Sequence, residues 1–440
     1  MPWWKSLLPA SWRESVMLLV LLALVAVFSV ATLKEQTLEG EAAAHAVAPL
    51  LEEALEPGQT LVVVAKGAGQ DAPFLATLQS EARRRGLPVD TLTGSPRRIR
   101  EGLVHLAGSR PQALLTVPED QLGMLRMVLN GDPALSGMGV ITAPARRWPT
   151  FLLRDNLLNV ANQIAVIAIV AIGMTLVILT AGIDLSVGSL IALSAVVCAQ
   201  LIERWGAEGA GLAAMLAAGG AAMVLTALLG ALSGLFITRW RVPPFIATLG
   251  MMQVASGLAY ILSQGRPVYR LPASFTTLGR GADPLLGLPW AVLLMLGLYA
   301  LAHLFLSRTV GGRHVYAVGG NAEAARLAGV SVKRVLGGVY AASGLLAGLG
   351  GVLMASQLKS GAPTYGGMYE LYVIAAVVVG GASLSGGQGR MTGTLTGAFI
   401  MAVIQNGMNL SGVESYTQKI VLGLVILGAV LIERINGRQA

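Results

Sequence analysis

Asp184 stands out first among the residues that could do chemistry. It lies in Thr180-Ala181-Gly182-Ile183-Asp184-Leu185-Ser186-Val187-Gly188-Ser189, between two long apolar runs. An ionisable side chain in such a place is expensive and marks a functional hypothesis. Two readings fit and do not exclude each other. Gly182 can end one helix while Asp184 caps the next by accepting from backbone N–H groups near Ser186 or Val187; alternatively, Asp184 and Ser186 touch a transported solute. Gly381-Ala382-Ser383-Leu384-Ser385-Gly386-Gly387 matches Gly182, Leu185, Ser186 and Gly188 position for position, which points to an internal repeat of the kind that builds transporters. Ser385 joins the candidate residues on that ground.

Amides form the second set. Asn159, Asn162 and Gln163 open one apolar run, Gln253 lies within another, and Gln405, Asn406 and Asn409 fall late in a third. Each can serve as an interhelical hydrogen bond. As a set they favour a neutral polar solute over an ion, because the apolar runs hold almost no charge to pair with one. Catalytic groupings are absent from the sequence. His45, His105, His303 and His314 are scattered without metal-ligand spacing, and Cys198 lies inside an apolar run as a small core residue. The sequence has no Walker lysine motif, GxSxG or HExxH. No catalytic residue, metal site or cofactor is expected in this chain.

A third segment runs Gly311-Gly312-Arg313-His314-Val315-Tyr316-Ala317-Val318-Gly319-Gly320-Asn321-Ala322-Glu323-Ala324-Ala325-Arg326-Leu327-Ala328-Gly329-Val330. Asn321 can N-cap a two-turn helix, Glu323 suits its positive end and Gly329 can terminate it. Such a helix can insert into another protein's groove, or the segment can be an ordinary solvated loop.

The elements that position these residues follow from composition. Of the 440 residues, 54% are hydrophobic and only 12% charged, against about 25% charged in soluble domains; mean hydropathy is +0.68. Disorder and a disulfide scaffold are excluded by the apolar content and the single cysteine. The formal charge of +8 is spread between apolar runs, not clustered as a nucleic-acid patch. The expected class is an all-α polytopic membrane protein with about ten transmembrane helices, plus a small inserted extracytoplasmic α/β domain. The first span, Ser15 to Leu33, reads as a retained helix, although Ser29-Val30-Ala31 also resembles a signal-cleavage site. Further spans are expected near 158–181, 185–203, 210–238, 244–263, 288–306, 335–357, 370–388, 391–410 and 418–433.

With the N-terminus in the cytoplasm, Lys5, Arg13, Arg239, Arg241, Arg308, Arg313, Arg326, Lys333, Arg334, Arg390, Arg434 and Arg438 fall inside. Arg204, Arg266, Arg270, Arg280, Lys359 and Lys419 fall outside. This is the positive-inside bias, and the seven tryptophans lie at or near span ends, as an interfacial belt requires. The C-terminus is then cytoplasmic too. Gly389, Gly393 and Gly397, like Gly344 and Gly348, recur at helix-face spacing for close crossing. The expected division is 1–34 for tail and first span, 35–150 for the insert, 151–435 for the main transmembrane domain and 436–440 for a cytoplasmic tail.

The insert alternates short β-branched runs with helical spacing: strands at 60–65, 89–92, 113–117 and 139–142, and helices at 72–85, 96–107 and 119–129. That pattern implies a parallel sheet with helices packed on it. Lys66-Gly67-Ala68-Gly69 holds GxG but not the rest of a phosphate-binding fingerprint. A docking or spacer domain is the first reading, a degenerate ligand-sensing lobe the second.

Ala181–Ser189, Arg241-Val242-Pro243-Pro244-Phe245-Ile246-Ala247-Thr248-Leu249-Gly250, Gly319–Gly329 and Val379–Gly389 resemble the permease subunit of bacterial ribose/xylose-type sugar ABC importers. The resemblance covers roughly residues 150–435 and the first span. It implies a bacterial inner-membrane permease working as a pair, with a second permease subunit (the same chain or a close homologue), two cytosolic ABC ATPase subunits that carry ATP and Mg, and an extracytoplasmic sugar-binding protein. On that resemblance Gly319, Gly320, Asn321, Glu323, Ala324, Ala325, Arg326 and Gly329 form the ATPase-coupling loop, and Asp184 and Ser186 belong to the family's best-marked membrane motif. The insert is a departure, since the family passes from the first span to Asn156-Leu157-Leu158-Asn159 through a short loop. The competing readings are a membrane receptor with an extracytoplasmic sensor, which would want a cytosolic signalling domain where Glu433 to Ala440 follow the last expected span, and an ion-coupled secondary transporter, for which Asp184 is the obvious carboxylate.

Overall fold

The computed structural model describes residues 11–437 apart from 56–58, 68, 70, 110–112, 136 and 137. The chain divides into two units, one of Met1–Thr32 with Phe151–Ala440 and one of Leu33–Thr150. Helix α1 (Ser11–Ala31) belongs to the first.

The unit Leu33–Thr150 begins with β1 (Leu33–Gln36) and α2 (Gly40–Ala54). It continues as β2 (Leu61–Ala65), α3 (Ala72–Arg84), β3 (Val89–Thr93), α4 (Pro96–Ser109), β4 (Leu114–Thr116), α5 (Leu122–Asn130), β5 (Gly139–Ile141) and β6 (Arg146–Pro149). Strands β3-β2-β4-β5 form one parallel sheet in that order. The central β2 is buried along its whole length. Leu61 and Val63 pack with α2 and α3 on one face, and Val62 and Val64 with α4 and α5 on the other. This is why the run reads as continuously apolar, as strands covered on both faces do. The sequence pattern does not anticipate α2 or the antiparallel β1–β6 ladder, which pairs Leu33 with Pro149 and Gln36 with Arg146. Four-residue strands at the two ends of the unit are too short to show a period.

The other unit continues with α6 (Arg154–Leu179), α7 (Val187–Arg204), α8 (Leu212–Arg239), α9 (Pro244–Ser263), the one-turn α10 (Thr277–Arg280) and α11 (Trp290–Arg308). The short α12 (Val310–Gly320) and α13 (Ala322–Leu327) follow, then α14 (Val332–Leu358), α15 (Tyr369–Val379), α16 (Met391–Leu410) and α17 (Ser415–Gly437). Among the described residues α6, α7, α8, α9, α11 and α14 are long and apolar enough to cross a membrane, while α1, α15 and α17 hold shorter apolar stretches. Helix α6 is the axis of the bundle: 89% of its most apolar window is buried, against 22% for α9. The apolar windows of α8, α9 and α11 are largely exposed, only 28%, 22% and 28% of each being buried.

Small residues bring the helices together. Gly344 and Gly348 of α14 pack on Thr226 of α8, and Gly393 and Gly397 press α16 onto the α15 backbone. Polar side chains lock crossings: Ser194 Oγ donates to the Gly348 carbonyl (2.7 Å), Tyr299 Oη to Ala168 (2.9 Å), and Thr175 and Thr394 share a hydroxyl bond (2.8 Å). Helix α1 lays Met17, Leu21, Leu24 and Phe28 in the cluster that includes Met401, Ile404 and Met408.

One expected span is corrected. The apolar run 370–388 is not a continuous helix, since α15 stops at Val379 and residues 380–390 are non-helical. Gly381 takes φ +87°, and its N–H and that of Ala382 turn back to close the helix on Val378 and Val377 (2.9 and 3.1 Å). Hydropathy alone does not register such a break, because Gly and Ala keep the run apolar.

Candidate functional site

At the first break, Ala181 takes φ 60°. Ala181 N–H donates to Ile178 O (2.9 Å) and Gly182 N–H to Val177 O (3.0 Å), which satisfies carbonyls at the end of α6. Asp184 follows, 1% exposed. Its Oδ1 accepts from Ser186 N–H (3.0 Å) and Ser186 Oγ (2.6 Å), and its Oδ2 accepts from Ser343 Oγ on α14 (2.7 Å). Asp184 closes a turn on the Ser186 N–H, but α7 begins at Val187 with Ser186 at its N-cap and no side-chain cap bond, so Asp184 stands two residues ahead of the helix instead of capping it. Ser343 is new: it makes the carboxylate a clamp between the α6–α7 break and the middle of α14. Three donors to one carboxylate compensate for its burial. Beside it Tyr340 is fully buried with no partner for its hydroxyl, and Gly182 lies against that hydroxyl. Neither Ser343 nor Tyr340 carries a signal in the sequence, because both sit in an ordinary Gly/Ala-rich helix remote from Asp184.

The second break closes with the same pair of backbone bonds. Gly182 therefore corresponds structurally to Ala382, one residue off the sequence match. The two breaks meet, as Gly387 N–H donates to Leu179 O (2.9 Å). Ser385 is exposed on this turn, and its N–H donates to Ser383 Oγ (3.3 Å).

The segment Gly311–Val330 joins them. Thr309 Oγ1 caps α12 by accepting from Gly312 N–H (3.0 Å), and Tyr316 Oη donates to Gly389 O (2.8 Å). Gly319 is buried where α12 ends, with no room for a side chain between the Leu179 carbonyl and the Gly387 amide, whereas a methyl group at Gly320 would meet nothing. Asn321 Oδ1 then caps α13 by accepting from Ala324 N–H (2.9 Å). The helix closes at Gly329 (φ +86°), where Gly329 N–H donates to Arg326 O and Val330 N–H to Ala325 O (both 3.0 Å). Ala325 faces inward (5% exposed) and Leu327 outward (79%). Ala324 and the Glu323–Arg326 ion pair are exposed as well. The outward surface of this helix is thus Glu323, Ala324, Arg326 and Leu327, with Ala325 as its anchor. Leu327 was missed in the sequence because an apolar residue on a short helix reads as core.

The amides do not converge on one wall. Asn162 Nδ2 donates to Gly279 O (2.9 Å), its own carbonyl accepts from Gln357 Nε2 (3.0 Å), and its Oδ1 is buried without a partner. Asn406 exchanges two 3.0 Å bonds with Asn156, and Asn409 Oδ1 accepts from Gln418 (2.7 Å). Gln163 and Gln253 are exposed, and Gln405 is half-buried. The side chains of Asn162, Asn406 and Asn409 thus each make at least one hydrogen bond to a neighbouring helix.

In the unit Leu33–Thr150, the loop after β2 is closed by its own side chains. Lys66 N–H donates to Asp71 Oδ2 (3.0 Å) and Gln121 Oε1 (2.9 Å), while Gln121 Nε2 donates to Asp71 Oδ1 (2.9 Å). The Lys66 and Gly67 amides thus face the Asp71 carboxylate. Among the described residues no group of three or more His, Cys, Asp or Glu could hold a metal ion.

A helix bundle interrupted at two apposed glycine breaks, with the end of α12 packed against both, fits the layout of a membrane transport permease. The chain belongs to the family described as the branched-chain amino acid transport system / permease component, whose family model matches residues 156–430. It is similar to the ribose import permease protein RbsC of Escherichia coli (strain K12), 45% identical over 289 residues that cover 65% of this chain and 87% of that one. It is also similar to the L-arabinose ABC transporter permease protein AraH of Azospirillum brasilense (36% identical; 66% and 83% covered) and the fructose import permease protein FrcC of Rhizobium meliloti (38%; 62% and 76%). No solved structure matches.

Proposed function

We propose that this chain is the membrane-spanning permease subunit of an ATP-driven importer that moves a monosaccharide or similar polar solute across the bacterial inner membrane by alternating access. The observation that carries the reading is α13: a capped helix with Leu327 turned outward, joined through Gly319 to the ends of both helix breaks. The sugars named for the relatives support the solute class. ATP hydrolysis belongs to a separate cytosolic ATPase subunit docked on α13, and this chain is not itself an enzyme. Closure of an ATPase pair moves α13, and Gly319 passes that displacement to Leu179 and Gly387, so the two breaks shift together. Each half-cycle is a population shift driven by differential binding.

The positive-inside bias supports placing α13 and both termini in the cytoplasm, with the spans numbering about ten. On that topology residues 35–150 are extracytoplasmic and contact the sugar-binding protein, and a second permease subunit completes the pathway. Asp184 and Ser186 hold the first break in shape, while Gln163, Gln253, Ser385 and Gln405 are left as candidates for the path.

The test is affinity purification of the tagged chain from native membranes, followed by reconstitution of what co-purifies and uptake of radiolabelled ribose, arabinose and fructose. Recovery of a Walker-motif ATPase and ATP-dependent uptake of one of these sugars is expected. A chain that purifies repeatedly without an ATPase, or sugar uptake indifferent to ATP, overturns the reading.

A further inference from the structure

Helix α14 ends at Lys359 (φ 53°), and the chain then runs back into the bundle without a helix. Gly361 bridges to Val268 and packs on Ala195 and Ala199, while Gly366 packs on Gly188 and Ile191. From Ala199 to Gly188 is a descent of about 16 Å along α7 at 1.5 Å per residue. There α15 begins, and the Glu370 carboxylate lies against Gly188, where any side chain would collide with it. Gly188 is two residues from Ser186, which bonds Asp184, which bonds Ser343 near the middle of α14. Glu370 therefore stands deep in the bundle, well below the outer helix ends.

This depth conflicts with its surroundings unless water reaches it. Thr364 and Gly367 are exposed, as are Met368 (51%) and Leu371 (42%). Glu370 is half-buried, and no other described residue gives it a hydrogen bond or ion pair. Non-helical backbone at membrane depth is tolerated only inside protein or on a water-filled cavity, and a partly exposed carboxylate there cannot face acyl chains. Both arguments give the same answer for the same face.

We propose that the face formed by residues 364–371 lines the solute pathway and that the Glu370 carboxylate accepts hydrogen bonds from the hydroxyl groups of a neutral polyol. This deepens the importer reading and rests on it. A carboxylate offers two oxygens to adjacent hydroxyls, and such charge-assisted bonds are roughly twice as strong as neutral ones. Met368 and Leu371 supply the apolar surface against which the C–H face of a sugar ring packs.

The reconstituted importer provides the test. Cys198 is the sole cysteine in the sequence and is buried, so variants with one added cysteine can be labelled without removing it. Met368→Cys and Leu371→Cys are expected to react with a charged, membrane-impermeant methanethiosulfonate and to be protected by excess transported sugar. Leu228→Cys, 62% exposed on α8, faces lipid and is expected to stay unlabelled. Glu370→Gln is expected to lower sugar uptake at least about tenfold, the scale of one lost charge-assisted bond, with ATPase assembly and resting hydrolysis retained and partial recovery in Glu370→Asp.

The proposal is overturned if the wild-type importer transports sugar while Met368→Cys and Leu371→Cys are as unreactive as Leu228→Cys, or if Glu370→Gln transports within twofold of wild type. A wild-type complex with no ATP-dependent uptake overturns instead the importer reading on which it rests.

Discussion

Asp184 accepts from donors in two distant stretches of chain, and its two partners have different thermodynamic meanings. Ser186 belongs to its own turn, whereas Ser343 Oγ, at 2.7 Å, belongs to α14. Ser343→Ala leaves a buried carboxylate oxygen without its donor and is expected to destabilise the solubilised protein by about 1–3 kcal/mol, read as a fall in its thermal midpoint in detergent. Tyr340→Phe removes a buried hydroxyl that has no partner, and the same measurement is expected to show no loss or a small gain. Equal losses from the two variants would contradict the hydrogen-bond assignment. Gly319 makes a similar contrast with its neighbour. Gly319→Ala drives a methyl group into the Leu179 carbonyl and the Gly387 amide, while Gly320→Ala meets open space. The first is expected to abolish ATP-driven uptake and the second to preserve at least half of it.

At the scale of elements, α13 is a helix too short to hold itself together, and its Asn321 cap, its Gly329 stop and the buried Ala325 replace propensity. The consequence is a separation between residues that build the helix and residues that present it. Leu327→Asp changes an exposed side chain, so the thermal midpoint is expected to hold while ATPase co-purification falls at least about tenfold, a cost of roughly 1.4 kcal/mol. Asn321→Ala loses a cap worth about 1 kcal/mol and is expected to weaken the same association less. Retention of the ATPase by Leu327→Asp at wild-type stoichiometry would remove α13 from the docking surface. The Asn321 cap and the Gly329 stop were legible because capping is local chemistry. The early stop of α15 was not, because a Gly-Gly turn packed inside protein keeps the hydropathy of a span.

For the whole molecule, the β1–β6 ladder brings the two ends of the unit Leu33–Thr150 side by side, Gln36 opposite Arg146. A two-residue turn joining residues 36 and 146 therefore removes the sheet without opening the chain. The membrane unit is expected to fold and to keep its ATPase after this deletion, while its affinity for the extracytoplasmic binding protein falls severalfold. Unchanged affinity and uptake would assign the sheet to some other task.

The sequence by itself determined the membrane class, most helix positions, the alternation of strand and helix between residues 60 and 142, and the cap at Asn321. Each of these depends on residues within a turn or two of one another, where periodicity and local hydrogen bonding leave a pattern. The sequence also marked Asp184 as a residue needing a partner. Only the tertiary structure decided that the partner is Ser343, that the breaks after α6 and α15 meet each other at Gly319, and that Glu370 lies deep in the bundle. Those facts arise from packing between segments many turns apart in sequence, or from a chain that re-enters the bundle, and neither leaves a periodic trace in one dimension.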